Sequence, residues 1–428
     1  MGEHAPSWYA ASLPAKLNRQ RESLGGDTAC DVCIVGAGFA GVSAAYHLSK
    51  AGQRVILLDA ERVGWGASGR NGGQLHPGFR QDLQWFTETI GEAFAAQIRD
   101  AGYAALAHMD GLISEHKIPC DRTHGLVTAC RKTKDLDEEI AYNTYAQKRF
   151  GVEPAQVLNA ADAQKALGTD GHVGALRDMQ GGHIHPLAFV TALADAAEAN
   201  GAVIHDRTHV TGLDANDLRV EVKTAHGVVR AQQVVLAGNG YMRGLHKDND
   251  ARVLPITNFI VATKPIGAWQ ENGILPNGDA ASDTRFVVRY WRPTPDGRLL
   301  FGGGEKFSKA FPKDIEAFVR PHLAEVYPGL KNVEIEYAWG GTLAITQNRL
   351  PLIRRVAPRV TVAAGFSGQG VINAPFAGKI VADALTHDPA LLDLMARLPC
   401  PTFPGGTALR GPILLLAMSY FALMDRIG

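Results

Sequence analysis

Residues 31–61, "DVCIVGAGFAGVSAAYHLSKAGQRVILLDAE", determine the fold. The β-branched run at the beginning predicts a strand, and the alanine-rich segment after the glycines predicts a helix that ends at Gly52. A second apolar run predicts another strand, which ends near Asp59. This order of strand, glycines, helix, strand and acid within about thirty residues is typical of a unit that binds a dinucleotide.

The three glycines of the GxGxxG motif each have a separate physical role. We expect Gly36 to permit the tight turn and Gly38 to let the backbone approach a pyrophosphate at the helix N-terminus. Gly41 is expected to let the helix pack closely on the strand. The intervening Phe39 and Ala40 are included in the predicted binding site.

Asp59 lies 21 residues after Gly38, where a carboxylate can accept hydrogen bonds from the ribose hydroxyls of a bound dinucleotide. Ala60 is included with it, and Glu61 is expected to lie beyond the strand, so it is the weaker candidate. NAD and FAD both bind in this way, which leaves the cofactor open. No second motif of this kind follows a strand, which argues against a protein with separate FAD and NAD(P) sites.

The composition favours a globular protein of two domains. The 428 residues exceed the usual size of a single core, and 43 basic against 43 acidic residues give no net charge to attract nucleic acid. Five scattered cysteines and no apparent export signal favour a reduced, cytoplasmic environment. The C-terminal "GPILLLAMSYFALM" is shorter than the roughly 20 apolar residues that cross a bilayer, so we predict a docked or buried helix, with an anchor on a membrane surface as the alternative.

A glycine-rich stretch, "GWGASGRNGGQLHPG" at residues 64–78, follows Asp59. Four further segments are "QGGHIHPLAF" (180–189), "VVLAGNGY" (234–241), "RYWRPTPDGRLLFGGG" (289–304) and "GFSGQGVINAPFAGK" (365–379). In these stretches the chain resembles the D-amino-acid-oxidase-like flavoproteins, which include sarcosine and glycine oxidases. Within that superfamily it is most similar to the polyamine-catabolic group that oxidises gamma-glutamylputrescine.

The resemblance implies an α/β fold with a Rossmann-like FAD-binding domain and an interleaved substrate domain built on an antiparallel sheet. Residues 28–82, 176–248 and 345–390 carry the dinucleotide signals and are assigned to a discontinuous FAD-binding domain. Residues 83–175 and 249–344 show helical and alternating patterns and are assigned to the substrate domain. Residues 391–428 are assigned to a C-terminal tail with an apolar helix.

The glycine-rich stretch is expected to run along the pyrophosphate towards the flavin ring. Ser68 and Arg70 are predicted to contact phosphate, Asn71 and Gly72 to lie under the ring, and Gln74 to mark the turn into the substrate pocket.

Three other segments complete the predicted FAD site. Gly238 ends a buried-strand pattern where the backbone has to pass close to the cofactor. Free N–H groups at a helix N-terminus are expected around the "GFSGQGV" loop, and the resemblance implies contact with the flavin pyrimidine ring. Its residues are Gly368, Gln369, Gly370 and Val371. The resemblance also implies that the Val210 backbone binds adenine, although a plain core strand is an equal reading.

Two departures from the resemblance bear on the chemistry. Many relatives carry histidine at the position of Gln369, which argues against a proton-carrying side chain there. With no cysteine or histidine in the "GFSGQGV" loop, we expect FAD to be bound without a covalent link. Sarcosine-oxidase-like relatives place a lysine over the flavin in a strand matching "GRLLFGGG", which here carries leucines, so we expect oxygen reduction to be slow or to use another cation.

The candidate substrate-binding residues lie just past the glycine turn and in the predicted roof of the site. His76 and Gln74 are placed beside the flavin, and His76 is a candidate proton acceptor for a substrate ammonium, with a structural role as the alternative. The aromatic candidates are Tyr290, Trp291 and Trp339, and Arg292 is a candidate partner of a substrate carboxylate; core packing is the alternative for the aromatics and a surface position for Arg292.

No metal site is predicted. His183 and His185 share a face of a strand, but no third ligand follows them.

The predicted activity is FAD-dependent oxidation of an amine C–N bond to an imine, which water converts to an aldehyde and an amine. The resemblance points to gamma-glutamylputrescine or a related polyamine as substrate, with oxygen or another electron acceptor. An oxidase of a small amino acid, of the glycine, sarcosine or pipecolate type, is the alternative. A non-catalytic or RNA-modifying role is a third possibility, and the zero net charge argues against RNA.

Overall fold

The computed structural model describes residues 2–285, 287–306 and 310–404, which form seventeen strands and twelve helices. The strands are β1 (Thr28–Val35), β2 (Val55–Leu58), β3 (Gln74–Leu75), β4 (Thr123–Cys130), β5 (Gln156–Asn159), β6 (Gly174–His183), β7 (Val203–His205), β8 (Val210–Ala215), β9 (Val220–Thr224), β10 (Gly227–Leu236), β11 (Leu254–Thr263), β12 (Ala280–Asp283), β13 (Tyr290–Pro293), β14 (Leu299–Lys306), β15 (Ile335–Ile345), β16 (Leu352–Ala357) and β17 (Val360–Ala364). The helices are α1 (Trp8–Ser12), α2 (Phe39–Lys50), α3 (Leu83–Thr89), α4 (Glu92–Glu115), α5 (Thr133–Phe150), α6 (Ala160–Leu167), α7 (Pro186–Ala199), α8 (Lys247–Arg252), α9 (Trp269–Asn272), α10 (Ile315–Val326), α11 (Gly370–Thr386) and α12 (Ala390–Ala396).

The first sheet has a parallel centre. Its main order is β16-β17-β10-β1-β2-β7, with β8 and β9 added through β10, and β1 runs parallel to both β10 and β2. Cys33 and Ile34 in β1 are fully buried, which explains why this strand has a continuous apolar run instead of an alternating one. Helices α2 and α11 pack on each other beside this sheet, and the predicted Rossmann-like α/β fold is confirmed.

The second sheet is mainly antiparallel, in the order β15-β11-β14-β13-β12-β4-β6-β3, with β5 paired to β6. One face packs on α10 through a core cluster that includes Phe259 and Phe301. The other face carries Ile260, Leu300 and Trp339, which belong to the core cluster shared with α2, α7 and α11. Side chains of this second face therefore point towards the first sheet and the helices that accompany it.

Two strands pair in a different sheet from the one that the domain assignment from the sequence implies. Strands β3 and β6 lie mostly in residues 28–82 and 176–248, assigned to the FAD-binding domain, yet both pair within the second sheet. The cause is their hydrogen bonding, since β6 pairs with β4 along nearly its whole length and β3 adds to the free end of β6.

The N-terminal arm is packed into the molecule. Tyr9 in α1 is fully buried, and its hydroxyl accepts a hydrogen bond from Arg292 Nη2 at 3.1 Å. The Trp8 indole N–H donates to Asp296 at 3.2 Å, which ties the arm to the second sheet. The backbone N–H of Gly2 donates to Glu61 Oε2 at 2.8 Å, which ties it to the end of β2.

Within the described ranges no helix is both long enough and apolar enough to cross a membrane. The predicted apolar C-terminal helix lies in residues 405–428, outside the described residues. All five cysteines are buried and free.

Candidate functional site

A deep cleft opens at the carboxyl ends of the parallel strands. It contains about 1230 Å³ of empty space, including its open mouth, and crosses from the end of β2 to the N-terminus of α11. Such an edge is where open α/β sheets bind ligands. The predicted cofactor residues that line it are Gly36, Gly38, Phe39, Ala40, Asp59, Ala60, Ser68, Asn71, Val210, Gly238, Gly368, Gly370 and Val371.

The glycines bring strand, turn and helix into close contact. Gly36 has φ +108°, and a Cβ there would lie 2.6 Å from the backbone of Gly238. A Cβ on Gly41 would lie 1.8 Å from the Gly36 carbonyl oxygen. Gly41 does not line the cleft, so it acts through packing, as the motif requires.

Asp59 joins the end of β2 to the glycine turn. Its Oδ2 accepts the Ala37 N–H at 2.6 Å and its Oδ1 accepts the Glu61 N–H at 2.8 Å. Burial raises the pKa of Asp59 to about 6, against the opposing effect of these two hydrogen bonds. Asp59 and Glu61 both line the cleft, so two carboxylates are available to a ribose. The sequence had favoured Asp59 over Glu61 for this role.

The glycine-rich stretch follows the cleft, but its arginine turns away from it. The Arg70 guanidinium donates to the carbonyls of Trp65 at 2.6 Å and Gly340 at 3.1 Å, and it stacks over the Trp65 ring at 4.2 Å. Arg70 does not line the cleft. The predicted phosphate contact is therefore replaced by a structural one, because two carbonyl acceptors hold the side chain against β15.

Ser68 and Asn71 do line the cleft. Ser68 Oγ accepts the N–H of Phe39, the first residue of α2, at 2.9 Å, which places its hydroxyl at the positive end of that helix. Asn71 Oδ1 accepts the Gly73 N–H at 2.8 Å, and its amide donates to the Ala67 carbonyl at 2.9 Å. Asn71 therefore stabilises the turn through its side chain.

Arg292 is a structural arginine and not a partner of the substrate. Its side chain is 2% exposed and donates to the carbonyls of Gly72 at 2.8 Å and Ile184 at 3.2 Å, as well as to Tyr9. These bonds fix the glycine turn to the N-terminal arm. The predicted contact with a substrate carboxylate is wrong, because the guanidinium is enclosed by protein acceptors.

Trp291 and Trp339 also belong to the core. Trp291 is 1% exposed and stacks on Phe301 in the cluster on the far face of the second sheet. Trp339 is equally buried, and its indole N–H donates to the Arg70 carbonyl at 3.0 Å. Neither ring forms an aromatic wall of the cleft, since strand alternation points Trp291 away and packing covers Trp339.

Tyr290 lies beside the glycine turn. A Cβ on Gly72 would be 2.6 Å from its ring and a Cβ on Gly302 would be 2.1 Å from it, so the ring fits between two glycines. Its hydroxyl donates to Asn258 Oδ1, and burial raises its pKa above the ordinary range. A small cavity beside it is also lined by Gln74.

Gln74 and His76 lie next to each other past the turn. Gln74 is 8% exposed, donates to the Ala281 carbonyl at 2.8 Å and lies 3.2 Å from His76 Nε2. Burial, with a smaller effect of Arg80, lowers the pKa of His76 to about 4. The imidazole is therefore neutral at pH 7 and a weak base, which argues against the predicted role in accepting a substrate proton.

The rings of His183 and His185 each contact a backbone group. The His183 ring lies 2.9 Å from the Gly278 carbonyl, and His185 accepts the Ala188 N–H at the start of α7. Within residues 2–285, 287–306 and 310–404, no group of three histidine, cysteine or acidic side chains converges on a point.

Sequence reasoning missed part of the cleft wall. Trp65 and Tyr241 line it with their rings 5.8 Å apart, and Phe366 lines it near α11. Trp65 lies inside the glycine-rich stretch, and Tyr241 directly follows a buried-strand pattern. Both positions could therefore have been predicted from the sequence to line the cleft.

Comparisons with known proteins identify the family. A family model described as "DAO: FAD dependent oxidoreductase" matches residues 31–384. The chain belongs to this family.

Two curated relatives cover nearly the whole chain. It is 37% identical to "Probable oxidoreductase OrdL" of Rhizobium meliloti, over 98% of this chain and 97% of that protein. It is 34% identical to "Gamma-glutamylputrescine oxidoreductase" of Escherichia coli, over the full length of both. Among solved structures, glycine oxidase from Geobacillus kaustophilus has a TM-score of 0.70 at 23% identity, covering 83% of this chain and 94% of that one. This last likeness shows the fold.

The protein is an FAD-dependent oxidoreductase, and its cleft suits that cofactor. Gly38 and Ser68 lie at the N-terminus of α2, where backbone N–H groups and the helix dipole favour a pyrophosphate. At the other end, Gly368 and Gly370 line the cleft at the beginning of α11. The buried Gln369 Oε1 has no hydrogen-bond partner among the described residues, although Gln369 itself is not part of the lining. An unpaired acceptor in this position is consistent with a polar ligand.

Proposed function

We propose that this protein oxidises an amine C–N bond to an imine, which water then hydrolyses to an aldehyde and an amine. The proposed substrate is gamma-glutamylputrescine or a related polyamine conjugate. The observation that carries the proposal is the 34% identity, over the full length of both chains, to a protein named gamma-glutamylputrescine oxidoreductase. Bound FAD supplies the two-electron acceptor for this chemistry.

The protein would hold FAD without a covalent link along the cleft. Asp59 and Glu61, which line the cleft, would bind the ribose, and the first N–H groups of α2 would bind the pyrophosphate. The first turn of α11 presents N–H groups and the positive end of the helix dipole to the opposite end of the cleft. That end would stabilise negative charge on a reduced cofactor.

The residues near the glycine turn supply little acid-base chemistry. His76 is neutral and weakly basic, and Tyr290 remains a neutral phenol because burial raises its pKa. We therefore expect the unprotonated amine to be the reactive form, with its proton released to solvent. Gln74 and Tyr290 would orient the substrate and restrict water.

An oxidase of a small amino acid is the second candidate. Arg80 is close enough to His76 to help lower the pKa of that imidazole, and arginine is the usual partner of a carboxylate. The sequence is also 24% identical to a glycine oxidase of Bacillus licheniformis over 84% of this chain. Glycine, sarcosine or pipecolate would be the substrate in that case.

The electron acceptor, the cellular location and the domain boundaries are also proposals. Leu299 and Leu300 occupy the strand where a lysine was expected by resemblance, and both are buried. We propose that oxygen is a slow acceptor and that another acceptor serves in its place. The free cysteines accord with a cytoplasmic location. The division into FAD-binding and substrate domains is proposed at the predicted boundaries, except that β3 and β6 belong to the second sheet.

Steady-state turnover with a substrate panel tests the function. Purified protein with bound FAD is given gamma-glutamylputrescine, putrescine, glycine, sarcosine and pipecolate, each with oxygen and with an artificial acceptor. We expect aldehyde formation from gamma-glutamylputrescine, faster with the artificial acceptor. Turnover restricted to the amino acids would favour the second candidate, and a protein that binds no FAD would contradict both.

A further inference from the structure

The turn at residues 71–73 belongs to the wall of the FAD cleft, and its shape is tightly constrained. Asn71 lines the cleft, and its Oδ1 accepts the Gly73 N–H at 2.8 Å. Gly73 has φ +74°, and a Cβ there would lie 2.2 Å from the Ile184 carbonyl oxygen. The Ile184 N–H donates in return to the Gly73 carbonyl at 2.9 Å. The 71–73 turn therefore connects the cleft wall to the residue that follows β6.

Arg292 of β13 holds this turn from the side of the second sheet. Its Nε donates to the Gly72 carbonyl at 2.8 Å, and its Nη2 donates to the Ile184 carbonyl at 3.2 Å. A Cβ on Gly73 would lie 3.3 Å from the same Nη2, so the guanidinium packs against the turn. The position of the guanidinium therefore constrains where Gly72 and Gly73 can lie.

All five N–H groups of Arg292 have a neutral acceptor. The acceptors are the carbonyls of Gly72, Ile184 and Pro293, Nδ1 of His183 and the hydroxyl of Tyr9. His183 Nε2 lies 2.9 Å from the Gly278 carbonyl, which requires the proton on Nε2 and leaves Nδ1 free to accept. Because no acceptor in this set is a carboxylate, the hydrogen-bond geometry alone orients the guanidinium.

The Tyr9 hydroxyl, which accepts from Arg292 Nη2 at 3.1 Å, is the acceptor that the N-terminal arm contributes. Helix α1 is anchored on both sides of it. The Trp8 indole donates to the β13–β14 hairpin at 3.2 Å, and Ser12 Oγ lies 3.1 Å from the imidazole at the start of α7. The Tyr9 ring is fully buried and meets Trp339 edge-on, with 5.5 Å between the ring centroids. These contacts fix the hydroxyl beside the guanidinium.

We propose that Tyr9 is a positioning residue of the FAD site, whose hydroxyl orients Arg292 and thereby sets the position of the 71–73 turn in the cleft wall. The N-terminal arm is then a working part of the cofactor site. Without the hydroxyl, one N–H of a buried guanidinium has no acceptor, and it can find another only by moving away from Gly72 or Ile184. This inference concerns the binding of FAD and is independent of the proposed substrate.

The test compares two variants that each remove one hydroxyl group from α1. Tyr9→Phe keeps the ring that packs on Trp339 and removes only the acceptor for Arg292. Ser12→Ala is the matched control, because Ser12 is exposed and its hydrogen bonds stay within α1 and its contact with α7. Each apoprotein is titrated with FAD, and the visible circular dichroism of the bound flavin is recorded. The melting temperature shows that each variant is folded.

We expect Tyr9→Phe to raise the dissociation constant of FAD at least about fivefold and to change the circular dichroism spectrum of the bound flavin. Ser12→Ala should change the dissociation constant less than about twofold and leave the spectrum as in the wild type. A lower melting temperature would accompany any loss of packing, whereas the two flavin readouts respond to the shape of the cleft wall.

A double-mutant cycle with Arg292→Lys shows whether Tyr9 acts through Arg292. A lysine keeps the charge, but its ammonium cannot reproduce the planar fork that joins Tyr9, Gly72 and Ile184. In that background Tyr9→Phe should raise the dissociation constant less than about twofold, because the connection is already broken. Equal effects of Tyr9→Phe in both backgrounds would show that the hydroxyl does not act through the guanidinium.

Other outcomes also overturn the proposal. An unchanged FAD affinity or an unchanged flavin spectrum in Tyr9→Phe would show that the hydroxyl only stabilises the fold, whether or not the melting temperature falls. Equal weakening by Ser12→Ala would show a general loosening of the arm. If Arg292→Lys does not fold, the comparison of Tyr9→Phe with Ser12→Ala decides alone. No readout depends on turnover, so a failure of the proposed function leaves this test intact.

Discussion

At the scale of single residues, Asp59 and Glu61 show why two similar carboxylates have different expected roles. The Asp59 carboxylate accepts hydrogen bonds from two backbone N–H groups, which orient it, whereas in the described part of the chain the Glu61 carboxylate accepts one, from the N–H of Gly2 in the N-terminal arm. We expect Asp59→Asn to raise the dissociation constant of FAD at least about tenfold and Glu61→Gln to change it less than about threefold. Fluorescence titration of the apoprotein with FAD measures both, and a larger effect at Glu61 would reverse the assignment.

Arg70 provides a second residue-scale prediction. Because its guanidinium bonds to two carbonyls and stacks on Trp65, Arg70→Ala should lower the free energy of unfolding by about 1–3 kcal/mol. Arg70→Lys should not restore it, since an ammonium cannot reproduce both the fork geometry and the ring contact. Urea denaturation at saturating FAD gives the measurement. Unchanged stability together with weakened FAD binding would show that Arg70 does contact the cofactor.

At the scale of elements, the close packing of α2 on β1 depends on one glycine. A Cβ at Gly41 would lie 1.8 Å from the Gly36 carbonyl, so Gly41→Ala should displace the helix and reduce FAD retention strongly. The matched control is Gly111→Ala in α4, where nothing lies within 4 Å of the added Cβ. There the substitution should be neutral, or stabilising by about 0.5–1 kcal/mol. Absorbance of the bound flavin in the purified variants decides between these outcomes, and full flavin in Gly41→Ala would contradict the packing account.

The helices and strands that could be predicted from the sequence are those whose local residue pattern agrees with their packing in the fold. β1, α2 and β2 follow from residues 31–61 alone, because glycine spacing and apolar runs encode the unit locally. Membership of β3 and β6 in the second sheet was not predictable, since it depends on pairing between distant segments. For the same reason the sequence did not reveal that Arg292, Trp291 and Trp339 are enclosed.

At the scale of the whole molecule, buried histidines contribute to the response of stability to acid. Burial lowers the pKa of His47 to about 3 and of His108 to about 4, and their Nε2 atoms lie 2.7 Å apart between α2 and α4. The folded state favours the neutral forms of both histidines. Their contribution to the free energy of unfolding is therefore fully present above pH 6.5, and it is lost as the pH falls towards 4 because the unfolded chain then binds protons more readily.

The double variant His47→Gln/His108→Gln isolates this contribution. Each wild-type histidine should remove about 1.4 kcal/mol of stability per pH unit within that window. The free energy of unfolding, measured at pH 7, 6 and 5, should therefore fall less steeply in the variant than in the wild type. Parallel curves would show that the pair does not titrate on unfolding.

We propose that this FAD-dependent oxidoreductase acts on an amine of the gamma-glutamyl polyamine class. Anaerobic addition of gamma-glutamylputrescine to the purified holoprotein tests it most directly, because reduction of the flavin needs no assumption about the electron acceptor. We expect the visible flavin absorbance to bleach with this compound and to persist with glycine and sarcosine. Bleaching by the amino acids alone, or by none of these compounds, would contradict the claim.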